Sequence, residues 1–304
     1  MQKHAATTND SSTARATVIV SFDFDAASSW IAWGARDERT LSRGEFGAVV
    51  GAPRILDSLD RYGIPSTWFI TGHTADSWPE QSAEVAARGH EIANHGYTHE
   101  DFGPLSTEQR REILRKSNDA LERVTGQRPR GIRVPPWPLD YDLFELLIEE
   151  GFTYDSSTIG GYHPHWCRGK GTVTADGPYL RGEPLDLVEL PVTFITSDFS
   201  YFEFSYGASP NLPAGLKPPS GLEESWRGEL DWVCEREQGA YVMLMLHPQT
   251  IGWGSRLLML ERFLEECMCR QGLRFATCEQ VASEFRQAEA KRGAGRVTRT
   301  AGPS

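Results

Sequence analysis

Short hydrophobic runs alternate with segments of helical periodicity along most of this chain. Residues 17–24 form a β-branched and aromatic run, a glycine-punctuated loop follows, and residues 45–62 then repeat apolar positions with the spacing of a helix. The same order recurs at residues 66–71 and 76–88. This pattern predicts alternating strands and helices, which is typical of a parallel sheet with helical crossovers.

The alternation continues toward the C-terminus. Ser106-Thr107-Glu108-Gln109 has the form of a capping box and opens a predicted helix that ends at Gly126, and Asp140 begins another that runs to Glu150. Further strands are predicted at residues 91–94, 131–135, 152–154, 187–194, 241–247 and 273–276. These units favour an α/β fold, a distorted (β/α) barrel of about seven strands whose functional groups gather at the carboxyl ends of the strands.

Composition places the chain among globular proteins. Its 304 residues are 39% hydrophobic and 24% charged, and this length fits one large α/β domain or two small ones. We expect a disordered tail over residues 1–16, a single catalytic domain over 17–286 and a C-terminal tail over 287–304. The formal net charge of −11, with no basic stripe outside the last residues, argues against a nucleic-acid partner.

The sequence also limits the cellular setting. No apolar run reaches the length of a membrane span, and the first seventeen residues lack the apolar core of a signal peptide. We therefore expect a cytoplasmic protein with no membrane partner. The five cysteines are an odd number without metal-type spacing, which favours reduced thiols.

Ligand-type side chains follow several of the predicted strands. Asp23 and Asp25 are two residues apart, so the alternation of a strand sends both to the same face. His95 and His99 are four residues apart and can share one side of a turn, and His247 follows an apolar run. Two imidazoles and a carboxylate can hold a divalent metal on three sides and leave positions open for water, which indicates a catalytic metal site.

Four short motifs are spread over the chain. They are Ser21-Phe22-Asp23-Phe24-Asp25, His95-x-x-x-His99, Arg133-Val134-Pro135-Pro136-Trp137 and Leu244-Met245-Leu246-His247-Pro248. In this order they resemble the polysaccharide deacetylase family, carbohydrate esterase family four, across roughly residues 17–285. The family usually has two adjacent aspartates in its first motif. Here Phe24 separates the two aspartates. This Asp-x-Asp arrangement resembles that of an intracellular branch of the family, which includes peptidoglycan-deacetylase-like proteins and cyclic imide hydrolases.

The resemblance implies a metal site. Asp25, His95 and His99 would hold a divalent cation, most often Zn²⁺ for such a ligand set, although cobalt or another divalent ion fits the same donors. For an isolated histidine pair, core or surface histidines with satisfied hydrogen bonds are the more common explanation.

The resemblance also implies catalytic roles. Asp23 would be the general base, His247 the general acid, and Arg133 would keep Asp23 ionised and oriented. Each has a structural alternative, since the aspartate can cap a loop, the histidine can end a core strand, and the arginine can lie on the surface.

Substrate-binding candidates are Trp137, Pro135 and His73. Trp137 would wall the pocket against the acyl group, and His73 follows a predicted strand, although structural duty is an alternative for both. Residues 160–185 and 197–220 lack periodicity and are rich in Gly, Pro and aromatics, so we expect loops that shape the substrate pocket.

The predicted function is a metal-dependent hydrolase of non-peptide carbon–nitrogen bonds, first of all a polysaccharide or N-acetyl-sugar deacetylase. One alternative is a cyclic imide or ureide hydrolase, similar to an allantoinase, that acts on small cytoplasmic molecules. Another is a catalytically silent carbohydrate-binding module. The resemblance to the imide-hydrolase branch further implies a homo-oligomer.

Overall fold

The computed structural model describes residues 14–135, 139–203 and 217–300, with side chains as far as residue 292. The strands within these ranges are β1 (Ala16–Phe24), β2 (Thr67–Ile70), β3 (Glu91–Asn94), β4 (Gly131–Ile132), β5 (Tyr154–Asp155), β6 (His165–Arg168), β7 (Pro184–Glu189), β8 (Tyr241–Leu246) and β9 (Leu273–Phe275).

Helices follow most of the strands. They are α1 (Ser28–Ala32), α2 (Glu38–Phe46), α3 (Ala52–Tyr62), α4 (Gly72–Ser77), α5 (Pro79–Ala87), α6 (Thr107–Thr125), α7 (Tyr141–Glu149), α8 (Asp198–Phe202), α9 (Pro219–Arg236), α10 (Pro248–Ile251), α11 (Gly254–Cys269) and α12 (Cys278–Thr300). A π-helical turn (Gly47–Gly51) joins α2 to α3, and a 3₁₀ turn (Phe194–Thr196) precedes α8.

The strands form one sheet in the order β6-β7-β5-β4-β3-β2-β1-β8, and β9 pairs with the start of β1. Neighbours are parallel except β6 and β7, which are antiparallel. The predicted distorted barrel is confirmed, as a sheet of eight successive strands curled into a half-barrel. A parallel bridge between Ser197 and Met245 also joins the segment after β7 to β8.

The two faces of β1 explain how the strand supports a site. Its side chains are buried throughout, and the face with Val20, Phe22 and Phe24 packs in the larger hydrophobic cluster, together with helices α3, α9 and α11. Ile19 lies on the other face, in a second cluster with residues of β2, β8 and α12. Because side chains alternate along a strand, Asp23 shares that second face.

Local signals predicted α6 and α7 well. The capping box of α6 is present, since Ser106 and Gln109 exchange side-chain to backbone hydrogen bonds, and the helix ends at Gly126 in a left-handed conformation. The helix predicted at residues 76–88 is instead divided into α4 and α5, because Pro79 begins a new helix.

Three segments predicted as loops contain regular structure. The loop expected before residue 43 holds α1 and the first residues of α2, which Asp37 caps by accepting from Thr40 N. Segment 160–185 contains β6. This strand pairs with β7, and because that contact is tertiary, no local sequence pattern predicts it. Segment 197–220 contains α8 and the start of α9.

The ends of the predicted domain can be compared with the elements. The sheet begins at Ala16, one residue before the predicted domain start, and the predicted end at residue 286 falls inside α12. The five cysteines are free, as predicted. Among the described residues, no helix combines the length and the apolar character needed to cross a membrane.

Candidate active site

Polar side chains from four strands meet at one edge of the sheet. Asp23 is the penultimate residue of β1, and Asp25, His95, Arg133 and His247 directly follow β1, β3, β4 and β8. All five residues are buried. The carboxyl ends of neighbouring parallel strands therefore bring together groups that are more than two hundred residues apart in sequence.

Asp25, His95 and His99 form a cluster with the dimensions of a metal site. One ligand atom from each lies within 4.8 Å of the others. Oδ1 of Asp25 is 3.4 Å from Nε2 of His95 and 4.0 Å from Nε2 of His99. The same Oδ1 is buried and has no hydrogen-bond partner among the described residues. Because an unpaired buried carboxylate oxygen is costly, a cation between these atoms fits the arrangement.

Both imidazoles can present a lone pair to a metal. Nδ1 of His95 lies 2.6 Å from the carbonyl oxygen of Arg133. A carbonyl only accepts, so Nδ1 donates, and in the neutral tautomer that this bond selects the lone pair is on Nε2. Burial lowers the pKa of His99 to about 4, which keeps its ring neutral at physiological pH.

The turn that carries the two histidines is not helical. Gly96 and His99 have positive φ values of 70° and 63°, and His99 is one of two described non-glycine residues with this property. The carboxylate of Glu100 accepts hydrogen bonds from the backbone N–H groups of Tyr97 and Thr98 at 2.9 and 2.8 Å. These hydrogen bonds stabilise the turn in which His99 has a positive φ, a backbone conformation that costs conformational free energy in a residue with a side chain.

Asp23 lies between a cation and two imidazoles. Its Oδ1 accepts a hydrogen bond of 2.5 Å from Nη1 of Arg133, and its Oδ2 is 3.8 Å from Nε2 of His247. Burial raises the pKa of Asp23, but Arg133, His95 and His247 outweigh that effect, and the pKa falls below its ordinary value. Asp23 is therefore ionised and able to accept a proton.

Arg133 is fully buried, which excludes the surface alternative considered above. Its guanidinium donates to the carbonyl and hydroxyl of Ser156 at 3.0 and 3.1 Å and lies 4.0 Å from the ring centre of Phe69. These contacts fix the position of the guanidinium and thereby the orientation of Asp23.

His247 is held by a residue that the sequence analysis missed. The carboxylate of Asp198 accepts from Nδ1 of His247 at 2.8 Å and from its backbone N–H at 3.0 Å. Burial lowers the pKa of His247, but Asp198, with smaller contributions from Asp23 and Asp25, outweighs burial and raises the pKa to about 9. Asp198 begins α8 and lies 49 residues from His247 in sequence, so no local signal pairs them.

Two aromatic rings lie over this cluster. The ring of Trp33 is 5.8 Å from that of His99 and 6.4 Å from that of Phe199, whose ring is in turn 5.1 Å from that of His247. Trp33 is 57% exposed, whereas the most exposed side chain of the cluster below it, that of His99, is only 11% exposed. The ring of Trp33 is therefore a largely exposed group in contact with a nearly buried histidine of the cluster.

The predicted substrate-binding residues have different positions. Trp137 lies outside the described residues. Pro135 packs against Gly96 in the histidine turn, and the half-buried ring of His73 lies edge-on to Tyr97 at 6.3 Å. His73 thus contacts the histidine turn at Tyr97, and its role in substrate binding stays a prediction, as does that of Pro135.

The aromatic residues of segment 160–185 lie elsewhere. The carbonyl of Tyr162 accepts from the backbone N–H of Tyr241, at the opposite end of β8 from His247, and Trp166 packs on Phe285 of α12. The expectation that this segment shapes the pocket does not hold for these two rings. Segment 197–220 does contribute, through Phe199.

Comparison with known proteins decides the family. The polysaccharide deacetylase profile matches residues 45–154. The chain is 31% identical over 276 residues to a peptidoglycan deacetylase of Helicobacter pylori, in an alignment that covers 86% of this chain and 94% of that protein. The chain belongs to the polysaccharide deacetylase family. Membership makes it a hydrolase of the carbon–nitrogen class, as the motifs predicted.

Solved structures agree with this assignment. A Mycobacterium smegmatis protein assigned as a polysaccharide deacetylase is 31% identical and superimposes with a TM-score of 0.79, covering 93% of this chain and 94% of that one. An allantoinase superimposes with a TM-score of 0.74 at 22% identity, over 90% of this chain and 91% of that one. At this identity the allantoinase shares the fold, and no more follows from it.

Proposed function

We propose that this protein is a metal-dependent amidohydrolase that releases an acyl group from nitrogen with Asp23 as base and His247 as acid. The observation that carries the proposal is the position of Asp23. Its Oδ2 lies 4.0 Å from Nε2 of His95, which is one of the three candidate metal ligands, and 3.8 Å from Nε2 of His247. A base and an acid on either side of one reacting centre are what hydrolysis of an amide needs.

A divalent cation held by Asp25, His95 and His99 would lower the pKa of a water molecule toward neutrality and polarise the substrate carbonyl. Asp23 accepts the proton of the attacking water, and Arg133 keeps the carboxylate ionised until then. Nε2 of His247 then donates a proton to the departing nitrogen, while Asp198 stabilises the charged ring.

We propose zinc as the cation, because two neutral imidazoles and one carboxylate are a common zinc ligand set. Cobalt would bind the same donors. A cytoplasmic location and a homo-oligomeric state are further parts of the proposal that rest on the sequence.

The first candidate substrate is an N-acetylated sugar, since the H. pylori relative is a peptidoglycan deacetylase. A second candidate, a small cyclic imide or ureide, is favoured by the contact between Trp33 and Phe199 over a cluster of nearly buried side chains. A small cyclic substrate needs less space beside these two rings than a glycan chain does.

The deciding experiment compares two substrates on protein whose metal content has been assayed. Acetate release is measured from N-acetylglucosamine oligomers, and ring opening is measured for succinimide-type imides, each with and without chelator. Chelator-sensitive acetate release supports deacetylation, whereas chelator-sensitive ring opening alone assigns the small-molecule reaction.

The same assay tests the silent alternative. A carbohydrate-binding module would bind the oligomers and hydrolyse neither substrate. The described residues retain candidates for the base, the acid and all three ligands, which supports an active enzyme.

A further inference from the structure

Gln249 is a second residue near the cluster that the sequence analysis missed. It lies in the short helix α10, two residues after His247, and is 5% exposed. Its Nε2 donates a hydrogen bond of 3.3 Å to Oδ2 of Asp25, which is 224 residues away in sequence. A carboxylate only accepts when ionised, so the amide nitrogen must be the atom that faces it.

This bond makes the two oxygens of Asp25 different. Oδ2 is engaged by Gln249, whereas Oδ1 has no partner among the described residues and faces Nε2 of His95 and His99. Any rotation of the carboxylate short of a half-turn would break this hydrogen bond, and a half-turn restores it with two equivalent oxygens exchanged. Gln249 therefore holds the plane of the carboxylate in an orientation that leaves one oxygen facing the two imidazoles.

The backbone of Gln249 is itself fixed by close packing. A Cβ atom added to Gly47 would lie 2.8 Å from Cβ and 2.9 Å from N of Gln249, and one added to Gly51 would lie 2.3 Å from the carbonyl oxygen of Pro248. Both glycines belong to the π-helical turn between α2 and α3. At these two glycines the backbone of the π-helical turn therefore lies closer to the backbone of α10 than a residue with a side chain would allow.

We propose that Gln249 is a positioning residue for the metal, which orients Asp25 so that Oδ1 is aimed at the cation. The proposal rests on the metal site of the proposed function. Hydrogen-bond partners of metal ligands typically contribute about 10–100-fold to metal affinity, because they hold the ligand in its binding orientation.

The test is a measurement of metal affinity in the full-length protein. Gln249→Met keeps the length of the side chain and removes the amide donor. Zn²⁺ and Co²⁺ dissociation constants are measured by competition with a chromophoric chelator. We expect metal binding to weaken by about 10–100-fold.

Thr250→Val is the matched control. Thr250 is the next residue in the same helix, is 1% exposed, and its hydroxyl has no partner within the described part of the chain. Its replacement changes a buried polar atom of α10 without touching Asp25. We expect the metal affinity of this variant to equal that of the wild type.

Melting temperatures of the metal-free proteins separate positioning from folding. The proposal predicts that Gln249→Met and Thr250→Val melt at similar temperatures without metal, and that only Gln249→Met shows a smaller increase when metal is added. A Gln249→Met protein that binds metal as tightly as the wild type would overturn the proposal. So would one whose weaker binding is matched by a comparable loss of metal-free stability.

Gly47→Ala supplies a second variant at a distance from the ligands. The added methyl group must displace the backbone of Gln249, so metal affinity should fall although Gly47 does not contact Asp25. Unchanged affinity in this folded variant would contradict the proposed role of the π-helical turn. A wild-type protein that binds neither metal is a different result, because it removes the proposed function and not this inference alone.

Discussion

Asp198 binds His247 at two points, accepting from the ring at Nδ1 and from the backbone N–H. The first bond leaves Nε2 directed toward Asp23, at 3.8 Å from Oδ2. Asp198 thus sets the orientation of the acid, and it contributes most among the three carboxylates, with Asp23 and Asp25, that together outweigh burial and raise the pKa of His247 to about 9. The ring is protonated at neutral pH and ready to donate.

The first prediction concerns the pH dependence of kcat/KM. A general acid with a raised pKa is active below that pKa, so activity should be lost as the pH rises through about 9. In Asp198→Asn the charge is gone, and the alkaline limb should move toward the ordinary histidine pKa of about 6.5. A pH–rate profile of this variant with an unmoved alkaline limb would exclude His247 as the acid.

The second prediction concerns the buried ion pair between Arg133 and Asp23. Arg133→Met leaves the carboxylate buried without its partner, and we expect a loss of about 3–5 kcal/mol of unfolding free energy in denaturant titrations. The double variant with Asp23→Asn should recover much of that stability and none of the activity.

Arg128→Met is the control for this pair. Arg128 pairs with Glu122 on the surface, where both side chains are about half exposed, and its loss should cost less than about 1 kcal/mol. If Arg133→Met and Arg128→Met lose the same unfolding free energy, the buried ion pair stabilises the protein no more than the surface pair does.

The third prediction concerns the base. Asp23→Asn keeps the shape of the side chain and removes the proton acceptor, so kcat should fall by about 10²–10⁴-fold while the metal stays bound. Steady-state kinetics and metal content are measured on the same preparation. Normal turnover in this variant would remove Asp23 from the mechanism.

The fourth prediction concerns Trp33 and the size of the substrate. Trp33→Ala removes a ring that lies beside His99 and Phe199, so kcat/KM for oligomers should rise relative to that for small substrates. Trp232→Ala is the control, because Trp232 is 50% exposed and lies on α9. An identical substrate preference in both variants would show that Trp33 does not limit access.

The ends of β1, β3 and β8 could be predicted from the sequence because each of these strands contains an apolar run that stops at a polar residue. That pattern predicts Asp23, Asp25, His95 and His247 at one edge of a parallel sheet from the sequence alone. It also predicted α6 from its capping box.

Asp198 and Gln249 could not be predicted, because each contacts its partner only through the tertiary fold. Asp198 and Gln249 lie 49 and 224 residues from their partners, and neither stands in a segment whose periodicity marks it as functional. The same holds for β6, which is a strand only because β7 lies beside it. The sequence therefore predicted the groups proposed to react, together with Arg133, and missed Asp198 and Gln249, which orient His247 and Asp25.

The most direct test of the account is the metal content of purified protein. We predict about one divalent ion per chain in the wild type and in Asp23→Asn, and a strong loss of bound metal in Asp25→Asn, because only the latter removes a ligand. Equal metal content in the wild type and Asp25→Asn, or none in either after loading with Zn²⁺ and Co²⁺, would contradict the proposed metal hydrolase.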